Sequence, residues 1–392
     1  MLLPTQAEVL EFHKLLATSL EANLSSGGSA GPSPDLLAAA TKNPGLIYQA
    51  NEIDGVTPLI VSAKDMEHSK WLLEEGAPWN AVDRAGKCAG NHSTDHNIQP
   101  LIDLHCTHAT RSELILSQTL RNGFNILNVN EAKESTDIDY APCTKKDYLQ
   151  RDIKYSGTDQ LLDSDNDAVM MEWERPLMSL HSEIICQPCT LPRVVLNVGF
   201  GMGIIDTFIQ ERLTDKDTHV IIEAHPGVYA KMKADGWCDK PNVIVKFGKW
   251  QDVMEEFGGA YFTGIFFDTY AESHLDMEDF HAELPRILKR GGIYSFFNGL
   301  CPDNIFFHGV ACNCVKIQLE SLEFEVEFEG CEIKVKEGDW EGTRRKYWHF
   351  DQYFLPVCRY LGEGGGKGGG GEEKEEKEEE EKNVPPSKKQ KT

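Results

Sequence analysis

Between residues 190 and 300 five short runs rich in β-branched and aromatic residues alternate with stretches of helical spacing. They are VVLNVG (194–199), HVIIEA (219–224), VIVKFG (243–248), GIFFDT (264–269) and GIYSFFN (292–298). Short apolar strands separated by helix-length segments pair in parallel and need helices on both faces to cover them. The alternation predicts an α/β domain of the doubly wound, Rossmann-like kind. Its first strand opens into Gly199-Phe200-Gly201-Met202-Gly203, followed by Ile204. Glycines there let a ligand approach the backbone above a helix N-terminus. The spacing G-x-G-x-G departs from the dinucleotide fingerprint G-x-G-x-x-G. Glu223 closes the second strand, where a carboxylate can accept ribose hydroxyls. Leu288-Lys289-Arg290-Gly291-Gly292 forms the turn into the fifth strand.

Charge limits the partners. The 392 residues hold 63 acids and 39 bases, a formal net charge of −24. A global basic footprint for a phosphate backbone is absent, so direct nucleic-acid binding is not expected. The tail from 361 to 392, GEGGGKGGGG followed by EEKEEKEEEEK and PPSKKQK, is low-complexity and reads as disordered. It holds nine acids and seven lysines, or −2, so the acidity belongs to the rest of the chain. The eleven cysteines are irregularly spaced, as suits a reducing cytoplasmic or nuclear setting. Cys186/Cys189 and Cys312/Cys314 read as incidental thiols, and no metal-ligand set is expected. The N-terminus has Glu8 and Glu11 and no basic region, so it reads as a helix, not a signal peptide. No run reaches the ~18 apolar residues of a membrane span, and a soluble protein is expected.

Residues 5–24 show helical spacing through Leu10, Phe12, Leu15, Leu16 and Leu20. Asp54 to Asp83 then resembles an ankyrin repeat, with Gly55, Thr57, Pro58 and Leu59 as turn and helix start. Trp71, Leu72, Leu73, Gly76, Ala77 and Asn80 match the second helix and exit, and Asp83 and Gly86 begin a degenerate restart. One repeat cannot bury its own faces, so flanking helices must cap it. The segment reads either as a helical hairpin without separate function or as a docking surface for a protein substrate. The expected organisation is a helical ankyrin-like domain (1–100), a connecting region (101–154), the Rossmann-like α/β domain (155–360) and the tail (361–392).

The glycine turn, Glu223 and the Leu288–Gly292 turn, in that order, resemble an S-adenosyl-L-methionine-dependent methyltransferase. The flanks sharpen this. Val169-Met170-Met171-Glu172-Trp173-Glu174-Arg175-Pro176-Leu177-Met178, VLNVGFGMGI, Lys249-Trp250-Gln251-Asp252-Val253 and Phe267-Asp268-Thr269-Tyr270 are similar to guanidinoacetate methyltransferase. Arg345-Lys346-Tyr347-Trp348 resembles that enzyme's closing strand. With the ankyrin-like region added, the chain resembles the fungal and plant arginine N-delta-methyltransferases, the type IV protein arginine methyltransferases. Two positions depart from the guanidinoacetate pattern: Glu172 replaces a basic residue and Gly203 an alanine.

The resemblance implies a cofactor, S-adenosyl-L-methionine, flanked by Met170 and Met178 over the loop Gly199, Phe200, Gly201, Met202, Gly203 and Ile204. Glu223 takes the ribose, Ala224 and His225 lie beside the adenosine, Lys249 and Trp250 lie against the adenine, and Tyr155 makes a lid contact. Asp268 sits near the cofactor's amino-acid end. Glu174 and Asp268 match the two carboxylates that hold the acceptor's guanidino group, and Trp173 reads as a core aromatic. The implied acceptor is an arginine of a protein, in this family a ribosomal protein. A small-molecule guanidino methyltransferase and a catalytically silent ankyrin binding protein are the alternatives.

Overall fold

A computed structural model describes residues 4–25, 30–121, 145, 147–157, 159–187 and 191–362. Cys189 and nearly all of the tail expected at 361–392 lie outside the described residues. In the first helix, α1 (Gln6–Ser25), Val9, Phe12 and Leu16 fall on one face and are buried. The same stripe continues into Ser19 and Asn23, whose polarity is matched from the facing helices. Ser19 Oγ meets His68 Nε2 at 2.8 Å, and Asn23 Nδ2 donates to Asp65 at 2.6 Å. The helices that follow are α2 (Pro34–Lys42), α3 (Pro58–Val61), α4 (Met66–Glu74), α5 (Ala89–Asp95) and α6 (Gln99–Arg121). Their starts are written locally. Thr57 caps α3 ahead of Pro58, and Asp65 accepts from the His68 N–H to cap α4. Leu36, Leu59, Leu72 and Leu73 join the α1 stripe in one core, so α1 and α2 cover α3 and α4.

The expected boundary at residue 100 falls in the first turn of α6. This helix docks against the α/β part of the chain, where Ala109 and Cys88 pack with Phe306 and Val310. Asn91 and Asn304 exchange two hydrogen bonds at 3.0 Å across that seam. Among the described residues no helix is long and apolar enough to cross a membrane.

An antiparallel sheet of β1 (Ile153–Ser156), β2 (Gln160–Asp163) and β3 (Ala168–Met171) comes next, in the order β1-β2-β3. Then follow α7 (Arg175–Ile185), β4 (Val194–Val198), α8 (Ile204–Arg212), β5 (Thr218–Glu223), α9 (Pro226–Ala234) and β6 (Val243–Phe247). The chain continues through α10 (Trp250–Val253), β7 (Phe262–Phe267), α11 (His274–Ile287), β8 (Leu288–Phe296), α12 (Ile305–Ser321), β9 (Phe324–Glu332) and β10 (Gln352–Tyr360). The second sheet has the order β6-β5-β4-β7-β8-β10-β9, with β4 to β8 parallel and β10 antiparallel to both neighbours. All five expected strands are present and occupy adjacent places in it.

Alternate residues of these strands enter opposite cores. Val195, Ile221, Phe266 and Ile293 pack under α7, α8 and α9; Leu196, Val220, Ile265 and Tyr294 pack under α10, α11 and α12. The strand order reverses at β4, which pairs with β5 on one side and β7 on the other. Ligands of doubly wound sheets bind beyond the strand ends at such a switch point. One expectation is corrected here. Arg345–Trp348 is not a strand but an irregular segment leading into β10, in which Arg345 lies 3.4 Å from Asp167 of the β2–β3 turn and the Tyr347 hydroxyl donates to Glu174.

Candidate active site

The loop after β4 is built so that backbone, not side chains, fills the switch point. Gly199 has φ +96°, and a Cβ there would lie 2.0 Å from the carbonyl oxygen of Asp268. Gly203, at φ +71°, would place a Cβ 2.4 Å from the Phe200 ring, which explains why alanine is excluded in this chain. Buried Asn197 donates from Nδ2 to the Gly199 carbonyl and to Asp206, each at 2.9 Å, tying the loop to α8. Glu223, at the end of β5, is only 6% exposed. Its carboxylate accepts from Phe200 N–H at 2.9 Å and from His225 N–H at 2.6 Å. Burial raises its pKa, while these donors oppose the rise.

The β1–β3 sheet lies over this loop. Tyr155 donates its hydroxyl to the Gly201 carbonyl at 3.0 Å, and Met170 Sδ accepts from Met202 N–H at 3.2 Å. Phe200 and Ile204 are buried beneath, Phe200 edge-on to Trp237 at 5.3 Å. The structure thus gathers Tyr155, Met170, Gly199, Phe200, Gly201, Met202, Gly203, Ile204 and Glu223, with half-buried Ala224 following Glu223. His225 is turned to the protein: Nδ1 accepts from Gly227 N–H, and Nε2 donates to the Arg151 carbonyl at 3.0 Å. Met178 is fully buried in the core on α7. Trp250 is 6% exposed, packed edge-on against Phe280 and donating to Glu272, so its ring offers no open stacking face. Neighbouring Lys249 is exposed.

Glu174 follows β3 and is 3% exposed, far from the surface position its place at a helix start would suggest. Its Oε1 accepts from Met171 N–H at 2.9 Å and from the Tyr347 hydroxyl. Asp268 follows β7, its N–H held to the Val198 carbonyl at 2.9 Å. The two carboxyls are electrostatic neighbours. Burial raises both pKa values, and the Asp268 charge raises that of Glu174 further, while the Tyr347 hydrogen bond lowers it. Burial and both charges raise the pKa of Tyr353 on β10, whose hydroxyl accepts from Asn298 N–H at 2.7 Å and pairs with His181 at 2.9 Å. Trp173 packs among Trp340, Tyr347 and Trp348, with ring centroids 5.7–6.4 Å away. Tyr347 was visible in the sequence only as part of the closing segment, because nothing local links it to a glutamate 173 residues earlier.

Two desolvated carboxylates beside a glycine cradle suit a planar cation that donates several hydrogen bonds, as a guanidinium does. The family model for guanidinoacetate N-methyltransferase matches residues 140–307. Protein arginine N-methyltransferase 2 of Emericella nidulans is 34% identical over 335 residues, covering 74% of this chain and 77% of the relative. The protein of that name from Saccharomyces cerevisiae is 30% identical over 346 residues, covering 78% and 84%. Among solved structures, spermidine synthase from Thermotoga maritima is 17% identical, with TM-score 0.38 over 54% of this chain and 73% of its own. The O-methyltransferase TomG from Streptomyces achromogenes is 14% identical, with TM-score 0.35 over 48% and 80%. On the Emericella nidulans and Saccharomyces cerevisiae relatives, this chain belongs to the protein arginine N-methyltransferase 2 family and is a methyltransferase.

Proposed function

We propose that this chain methylates an arginine of a protein substrate on the internal, delta nitrogen of its guanidino group. The observation that carries the reading is buried Glu174, whose carboxyl feels the charge of half-buried Asp268, beside the Gly199–Gly203 loop. S-adenosyl-L-methionine is the cofactor. Gly199 to Ile204 and Glu223 fit it, since the loop leaves backbone where a Cβ would clash and turns a buried carboxylate toward its crest. We assign Tyr155, Met170, Ala224 and the backbone at His225 and Lys249 to the same pocket, with Met178 and Trp250 supporting it from the core. When bound, the cofactor supplies an electrophilic methyl group on a sulfonium centre.

The residues of the chain do the rest. A guanidinium with a pKa above ~12 stays protonated, and its delocalised nitrogens are poor nucleophiles. Glu174 and Asp268 bind and orient it, drawing charge onto the nitrogens they hold so that the remaining one keeps lone-pair character. Orientation of this kind is worth up to ~7–11 kcal/mol. One carboxylate takes the departing proton, an effect of about 10²–10⁴-fold. Because burial raises both carboxyls, kcat/KM is expected to fall as pH drops through neutrality, as the pair takes up protons and loses its grip on the cation. A kcat/KM profile flat from about pH 5 to about pH 9 contradicts this.

The choice of the internal nitrogen, and of a ribosomal protein as acceptor, rests on the family resemblance. The helical region through α5, ankyrin-like in Gly55–Leu59 and Trp71–Asn80, is assigned to docking that protein. The excess of acids steers a basic acceptor, not nucleic acid, toward the enzyme. Cytoplasmic and nuclear residence is proposed from the cysteine usage and the terminal lysine cluster. A second reading, a small-molecule guanidino methyltransferase, is favoured by the family model that matches 140–307. Incubation with labelled cofactor, a ribosomal protein extract and guanidinoacetate separates the two. Label is expected on protein, and fragment-ion mass spectrometry is expected to place the methyl on the internal nitrogen. Label only on guanidinoacetate overturns the protein reading, and a terminal-nitrogen product overturns the delta assignment.

A further inference from the structure

The turn between β2 and β3 carries Asp163, Asp165 and Asp167, whose carboxylate oxygens lie within 4.8 Å of one another. Anions this close need cations, and the chain supplies them itself. Lys145 Nζ reaches all three, at 2.5, 2.8 and 2.8 Å. Arg344 grips Asp167 through Nε at 2.9 Å and a terminal nitrogen at 2.6 Å, and Arg345 Nε lies 3.4 Å away. The side chains of Asp163 and Asp167 are 0% and 1% exposed. Backbone reinforces the join, since Arg344 N–H donates to the Asn166 carbonyl at 2.7 Å. From the other side the Tyr270 hydroxyl donates to Asp163 at 3.1 Å.

Both grips end next to the carboxylate pair. Tyr270 stands two residues beyond Asp268, and Arg344 three residues before Tyr347, whose hydroxyl holds Glu174. Residues 343–350 form neither helix nor strand, so no sheet ladder fixes the position of Tyr347. Its ring packs against Trp173 and Trp340 at 5.7 and 4.9 Å, and three residues before it Arg344 ties the segment to the aspartate turn. We propose that the Asp163–Asp167 turn is a positioning device, in which Arg344 bound to Asp167 sets where the Tyr347 hydroxyl meets Glu174. This rests on the assignment of Glu174 and Asp268 to the guanidinium. In this arrangement the charged knot acts on Glu174 through Tyr347.

The test uses Arg344, because its side chain is 40% exposed and Lys145 still neutralises Asp167 when it is removed. The titratable groups that act on Glu174 are Asp268 and Tyr347, and Tyr353 feels its charge in turn. Losing the Tyr347 donor leaves the Glu174 carboxylate less stabilised, so its protonation moves to higher pH. For Arg344→Ala in the full chain, kcat/KM for the protein acceptor is expected to fall about tenfold to 10²-fold, the size of a small misplacement. The acid limb of its pH profile is expected to move upward, with cofactor affinity unchanged by calorimetric titration. Tyr347→Phe is expected to move the limb the same way, and the double variant no further than Tyr347→Phe alone. Arg344→Lys, which keeps the charge but loses the fork, is expected to lie between wild type and Arg344→Ala. An unmoved limb in Arg344→Ala and Arg344→Lys, or additive shifts in the double variant, overturns the proposal. A melting point lowered without a moved limb does so too. If Glu174→Gln is inactive while Arg344→Ala keeps the wild-type profile, only the positioning role fails and the carboxylate pair stands.

Discussion

Glu174→Gln is expected to abolish methyl transfer while leaving cofactor affinity near that of the wild type. The substitution is nearly isosteric, and the amide oxygen can still accept from Met171 N–H and the Tyr347 hydroxyl. What disappears is one of the two negative charges on the guanidinium, in a site where burial makes that charge count most. A loss of about 10³-fold or more in kcat follows if orientation and proton acceptance are both removed. Folding should not suffer. The folded-state pKa of Glu174 is raised, so the stability linked to its protonation is present at low pH and is lost as pH rises through that value. An uncharged glutamine removes that loss, so its melting point at neutral pH is expected to equal or exceed that of the wild type. Steady-state kinetics, calorimetric titration with S-adenosyl-L-methionine and thermal denaturation read the three effects separately. Turnover near the wild-type rate sinks the guanidinium clamp.

Gly199→Ala is expected to do the opposite, damaging the frame and the cofactor pocket together. At φ +96° an L-residue is strained by about 1–3 kcal/mol before any contact is considered. The added methyl would then sit 2.0 Å from the Asp268 carbonyl, a backbone atom that cannot swing aside. Asp268 N–H is bound to Val198, and Val198 is in register with Phe267, so relief requires the ends of β4 and β7 to part. That movement carries Asp268 with it and opens the floor of the glycine loop. A clear drop in melting temperature with loss of measurable cofactor binding is the expected result. A variant with wild-type melting and affinity would show that the switch point is not shaped by this glycine. The contrast between the two variants is diagnostic: one keeps the fold and the cofactor but not the chemistry, the other loses all three.

Much of the framework was legible because it is encoded locally. Short β-branched apolar runs, glycines at the turn after the first strand, and Thr57-Pro58 at a helix start each act within a few residues. The places of Trp250 and Met178 were harder to read. An aromatic after a strand suits either a ligand or a core, and here Phe267 and Phe280 complete a core around Trp250. The closing segment misled for a related reason. Its resemblance to the relative's closing strand suggested a strand, yet Arg344 and Tyr347 find partners on the β2–β3 turn and at Glu174, and side-chain bonds replace the ladder.

By itself the sequence determined the doubly wound sheet and the glycine loop beneath it, since strand runs and glycine placement depend on near neighbours, while the two acids were named only by the family resemblance. Only the tertiary structure decided that Glu174 is buried, that it shares an electrostatic environment with Asp268, and that Tyr347 completes it. Those properties depend on desolvation by residues distant along the chain, and a pKa is set by what surrounds a carboxyl in space.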